Sequence, residues 1–146
     1  MIPLRAPAEI SSRLGIPSAQ RILLVECPEE LAAIVRAAAA PEAEVTQVEA
    51  RYVRSAKDPA DLILVFQESR VGSHAVLDAA AKRLLPGGHL WVVTAMRKVQ
   101  GPKTAAAHRL ESGDLDKAFL KTDLRRAGEA KVGGWHVAYG FHKPKP

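Results

Sequence analysis

Three stretches of this chain are short, nearly unbroken apolar runs: RILLVE (21–26), ADLILVF (60–66) and HLWVVTA (89–95). Runs of this length with β-branched content mark strands covered on both faces. Between them, apolar residues recur at helical spacing. In PEELAAIVRAAAA (28–40), Leu31, Ile34, Val35 and Ala38 share a face, Pro28 suits the first turn, and Glu29 and Glu30 suit the positive end of a helix. In HAVLDAAAKRLL (74–85), Val76, Leu77, Ala80 and Leu84 point inward, Ser73 is the expected cap, and Pro86-Gly87-Gly88 breaks the helix before the next strand. PAEISSRLGIP (7–17) predicts a short leading helix that begins at Pro7 and stops at Gly15 and Pro17. EVTQVEA (44–50) alternates around Val45 and Val48 as a shorter strand, and RYVRS (51–55) suggests an edge strand.

The last third changes character. TAAAHRLE (104–111) and DLDKAFLKTDLRRAG (114–128) read as helices, the second stopped by Gly128. Beyond them Gly133 and Gly134 separate two extended pieces, and Trp135, Val137, Tyr139 and Phe141 alternate with His136, Ala138, Gly140 and His142. That pattern predicts a closing antiparallel hairpin. Taken in order, the elements define an α/β protein, a three-layer Rossmann-like sandwich with a mostly parallel sheet, helices on both faces and a C-terminal antiparallel hairpin. Residues 1–20 form an N-terminal extension with the short helix, and 21–146 form a single α/β domain.

Composition narrows the classes. With 146 residues, 47% apolar and 25% charged, the chain suits one globular domain. No stretch approaches the apolar length of a membrane span and the first residues lack a secretory pattern, so a cytoplasmic location is expected. Cys27 is the single cysteine and no Cys/His group has metal-ligand spacing, so neither a disulfide nor a metal framework is expected. Twenty-one Lys and Arg against 16 Asp and Glu leave a net charge of +5, compatible with a polyanionic partner.

The strand DLILVF, the following helix, LLPGGHLWVVT and the Gly-Gly hairpin together resemble the second half of a class I S-adenosylmethionine-dependent methyltransferase. Two narrower likenesses stand beside it. One is the degenerate, non-catalytic half of two-domain ribosomal RNA guanine methyltransferases, with its basic loop after a strand (here RKVQGPKTAAAHRL) and its closing GGWHV. The other is a short uncharacterised bacterial family whose opening is similar to RLGIPSAQRILLVECPEEL. The resemblance covers roughly residues 13–143 and implies a fold shortened between its second and fourth strands.

In such methyltransferases the first strand ends in an acid followed by glycines two, four and six residues later. Here Glu26 takes the acid, while Pro28, Glu30 and Ala32 occupy the glycine positions. Glycines there admit a ligand to the main chain; a fixed proline and a long carboxylate do not. Glu29 and Glu30 already complement the helix N-terminus, which disfavours a phosphate. Glu26 and Glu49, at the ends of the first and second strands, with Phe66 as an adenine wall, are the candidate cofactor residues the resemblance implies for S-adenosylmethionine. Read without it, they are solvated strand-end acids and a core aromatic. The Asn-Pro-Pro-aromatic clamp of base-modifying relatives is replaced by Phe66, Gln67, Glu68 and Ser69.

Arg97, Lys98, Lys103, His108 and Arg109 lie in one loop with no acid before Glu111. Arg97, Lys98, Lys103 and Arg109 are the candidate nucleic-acid contacts, although the loop lacks the interleaved aromatics of a single-strand binder. Cys27 is a small packing residue or a nucleophile beside a helix start. Asp61 opens its strand as an acid often does. His74 and His89 read as surface histidines, and His136 and His142 as a polar face of the last strand.

Three functions remain open on the sequence. The first is a methyltransferase-like domain without catalysis that binds RNA or a protein partner. The second is an active methyltransferase with a divergent cofactor loop. The third is an oligomer-forming domain that associates through an apolar sheet edge near 135–141.

Overall fold

Each apolar run becomes a strand in the computed structural model, which describes residues 2–55 and 58–146. The elements are α1 (Pro7–Leu14), β1 (Arg21–Val25), α2 (Glu29–Ala38), β2 (Glu44–Val48), β3 (Ala60–Phe66), α3 (Ser73–Arg83), β4 (Leu84–Ala95), α4 (Ser112–Ala118), β5 (Arg125–Lys131) and β6 (His136–His142). They form a six-stranded sheet in the order β2-β1-β3-β4-β6-β5. β1 pairs in parallel with β2 and β3, β3 pairs in parallel with β4, and β6 runs antiparallel between β4 and β5.

Alternation along the central strands builds two cores. Ile22, Leu24, Leu62, Leu64, Trp91 and Val93 face α1 and α2, joining Ile10, Leu14, Leu31, Ala32 and Val35. Leu23, Val25, Ile63, Val65, Leu90 and Val92 face the other way, joining Leu77, Ala80, Leu115 and Phe119. Strands covered on both sides have no polar face, hence their unbroken apolar runs. Leu31 and Val35 of α2 are both fully buried, each contributing about 2 kcal/mol by leaving water. Among the described residues no helix is long and apolar enough to cross a membrane.

Several local expectations give way. Residues 51–55 are no strand: Ala50–Ser55 is a 3-10 turn that buries Val53 and leaves Tyr52 50% exposed. Helix α3 is capped by Gly72 in a left-handed conformation, and the Ser73 hydroxyl donates to the Arg70 carbonyl instead. Pro28 is the cap ahead of α2 and not its first turn. The Pro86-Gly87-Gly88 stretch lies inside β4, which begins directly after α3; the Gly87 N–H donates to the Lys143 carbonyl, and a Cβ on Gly88 would meet the Asp61 carbonyl oxygen at 2.9 Å.

The largest departures follow β4. Only Ala106–His108 of the first expected helix is helical, as a 3-10 turn, and the second helix ends at Ala118. Arg125–Lys131 is a strand with Gly128 inside it at a register shift. Its residues favour a helix in isolation, but pairing with β6 outweighs propensity. β5 also covers β6, so 135–141 is not an open edge.

Candidate functional site

Open parallel sheets bind ligands at the carboxyl ends of their strands. At the end of β1, Glu26 turns through a left-handed φ of 58°, a conformation costing a non-glycine residue roughly 1 kcal/mol. Two hydrogen bonds hold it there. Its N–H donates to the Val48 carbonyl (2.9 Å), and its carboxylate accepts the Ala50 N–H (2.6 Å). Glu26 therefore fastens β1 to the turn after β2. Glu49 points outward and pairs with Arg51 at 3.0 Å, an exposed contact of little energetic weight.

The positions at which the methyltransferase resemblance implies glycines carry Pro28, Glu30 and Ala32. Ala32 is completely buried, and the Glu30 carboxylate accepts its own N–H and that of Ile2 (3.1 Å), which together hold its pKa below the usual range. Cys27 is buried with its thiol against the Leu64 carbonyl, and desolvation pushes its pKa up to about 12. A thiol this reluctant to ionise is no nucleophile.

Ile2 begins a strap across this edge. Leu4 packs on the α1/α2 core and the Arg5 N–H donates to the Val132 carbonyl at 2.8 Å, so the strap reaches from the start of α2 to the turn between β5 and β6. A Cβ on Gly133 would lie 1.9 Å from the Pro3 carbonyl oxygen, so only glycine permits this approach.

On the other side of the sheet centre, Phe66 tilts against His136 with ring centroids 5.0 Å apart. Glu68 is shared: one carboxylate oxygen meets His136 Nε2 at 2.5 Å, and the other accepts the Thr104 N–H (3.3 Å) and hydroxyl (3.1 Å). His136 is fully buried, which corrects its expected place on a polar face; its Nδ1 has no partner among the described residues. No local sequence signal links Glu68 to a histidine in the closing hairpin. Asp61 lies at the opposite, amino edge, accepting the Arg21 N–H at 2.8 Å. The His89 and His142 rings tilt against each other with centroids 4.9 Å apart, and burial followed by the charge of His142 lowers the His89 pKa.

The basic loop is built around Arg109. This side chain is 4% exposed, and its guanidinium donates to the carbonyls of Thr104 (2.9 Å), Met96 (2.7 Å), Val99 (2.6 Å) and Arg97 (3.3 Å). Its donors face inward, so Arg109 is an internal latch and not the phosphate contact expected from its charge. Arg70 adds bonds to Ala107 (2.7 Å) and His108 (2.9 Å). Arg97, Lys98 and Lys103 remain exposed, with Arg97 paired to Glu111 at 3.3 Å. The aromatic that the loop itself lacks comes from the hairpin. Trp135 is half-buried, and a Cβ on Gly101 would lie 2.3 Å from its indole.

No protein-family model matches the sequence, and no curated protein matches it. Solved structures do match in fold. A SAM-dependent methyltransferase from Aquifex aeolicus superposes with a TM-score of 0.73 at 11% identity, over 94% of this chain and 89% of that one. N-methyltransferase NodS from Bradyrhizobium japonicum, in complex with S-adenosyl-L-homocysteine, gives 0.59 at 17% identity, over 92% and 84%. An O-methyltransferase family protein from Burkholderia thailandensis gives 0.64 at 16% identity over 93% of this chain, which spans only 55% of that protein. In fold, then, this chain is similar to the class I S-adenosylmethionine-dependent methyltransferases. Against that cofactor the residues fit poorly: main-chain N–H groups engage Glu26 and Glu30, side chains occupy the glycine positions, and the strap lies on the start of α2.

Proposed function

We propose that this domain keeps the methyltransferase scaffold without methyl transfer and binds RNA through the basic loop after β4. The observation carrying this reading is the opposite use of the two loop systems. The carboxylates beside β1 are spent on the protein's own N–H groups, whereas Arg109 spends its donors on carbonyls and leaves Arg97, Lys98 and Lys103 presented to solvent from an ordered loop. A pre-ordered cationic loop loses little entropy when it meets phosphates.

The test is a titration of the whole chain with single-stranded RNA at two salt concentrations, beside a variant with Arg97, Lys98 and Lys103 changed to Ala. Affinity should fall with salt and fall again in the variant; unchanged affinity in the variant sinks the loop assignment.

The competing reading, an active methyltransferase with a divergent loop, draws on the placement of Glu26 and Glu49 at the ends of adjacent strands. Melting with millimolar S-adenosylmethionine separates the two. A ligand at 100 times its Kd adds about 2.7 kcal/mol and raises the midpoint by several degrees, whereas the scaffold reading expects no shift.

A further inference from the structure

We infer that Trp135 is a stacking platform for an unpaired base and that the polynucleotide bound here is single-stranded. This rests on the RNA reading above and adds a ligand conformation and a contact residue to it. The two tryptophans have different surroundings: Trp91 is 8% exposed within the core, while Trp135 is half-buried at the tip of the closing hairpin. Gly101 of the basic loop, at φ +126°, backs the Trp135 indole without a side chain between them. On the strand side, the Trp135 carbonyl accepts the Met96 N–H at 2.8 Å, so the Trp135 main chain lies beside the residue that precedes Arg97 and Lys98. Next to it lies a cavity of about 270 Å³ lined by Leu4, Arg5, Met96, Lys131, Gly133 and Gly134, with two cations and no acid in its wall.

Carboxylates near this surface are largely engaged. Glu9 pairs with Arg5 at 2.8 Å, Glu111 with Arg97 at 3.3 Å, and Glu68 is held by Thr104 and His136. Lys98, Lys103 and Lys131 have no ion pair among the described residues. A half-buried indole backed by the loop that carries Lys98 and Lys103 matches a strand whose bases turn inward to stack while its phosphates meet cations. In a duplex the base faces are covered by their neighbours, so the indole adds nothing to its binding.

The experiment uses the whole chain with Trp91→Phe, leaving Trp135 as the only fluorescent indole. Oligo-U, oligo-dT and a duplex of equal length are titrated. Both single strands should quench Trp135, whether equally or with RNA favoured through its 2′-hydroxyls; tighter binding of the duplex overturns the inference. In the native background Trp135→Ala should weaken single-strand binding roughly ten-fold, while Trp135→Phe, which keeps a stacking face, stays within a few-fold. Circular dichroism checks that both fold, and the quench does not depend on either variant. Binding that leaves Trp135 fluorescence unchanged and survives Trp135→Ala overturns the stacking site but leaves the basic-loop reading standing. Absence of binding to every oligonucleotide, as for a domain that recognises only protein, overturns both.

Discussion

Glu26 follows β1 and Arg97 follows β4 by two residues, so both stand at the carboxyl edge of one sheet, yet the chain treats the two positions oppositely. Beside β1, acids turn onto main-chain N–H groups: Glu26 onto Ala50, Glu30 onto Ile2. Beside β4, a buried cation gathers carbonyls, with Arg109 taking those of Met96, Val99 and Thr104. Loops carry backbone groups outside the sheet and helix ladders, which side chains, water or a ligand satisfy. Using an acid satisfies the main-chain donors Ala50 and Ile2 from within the chain. Using an arginine turns the carbonyls inward, which leaves the loop's outer surface to its other cations.

Breaking the arginine latch has the largest expected effect. Arg109→Ala leaves several carbonyls without their charged donor and should cost roughly 3 kcal/mol. Urea melts measure that cost, and limited proteolysis should show cleavage within 96–109; a loss under 1 kcal/mol contradicts the latch. The strap comes next. Gly133→Val drives a side chain into the Pro3 carbonyl and should cost about 2 kcal/mol, as overpacking does. Hydrogen exchange at the Arg5 amide, now bonded to Val132, should accelerate; unaltered protection means the strap is not held there.

The smallest effect concerns His89. Because burial and His142 lower its pKa, the folded state takes up this proton less readily than the unfolded chain, whose histidine titrates near 6.5. Stability carries no penalty above that value and declines as pH falls through it. His89→Gln should therefore reduce the stability lost between pH 7 and pH 5. An unchanged difference removes His89 from the pH response.

The scaffold was legible because buried strands need long apolar runs and helices need periodic ones: β3 falls on residues 60–66 as expected, and α1 runs from Pro7 to a left-handed Gly15. β5 was hidden because RRAGEAK has one buried residue, Ala130, and no period of two. The altered crevice was visible in Pro28, Glu30 and Ala32. The bond from Ile2 to Glu30 was not, since it spans 28 positions. Charge marked the basic loop but could not separate Arg109, which is buried, from Arg97, Lys98 and Lys103, which are not. His136 and Trp135 are neighbours in sequence, and only the sheet register assigns one to Glu68 inside and the other to Gly101 at the surface.

The contrast between the two loop systems can be read residue by residue in one ¹⁵N-labelled sample, titrated first with S-adenosyl-L-homocysteine and then with oligo-U. The account predicts no amide shifts at Glu26, Glu30 or Ala50 with the first ligand, and saturable shifts at Arg97, Lys98, Lys103 and Trp135 with the second. Saturable shifts at Glu26 and Ala50 with S-adenosyl-L-homocysteine would contradict it, because they would mean that the crevice opens to the cofactor.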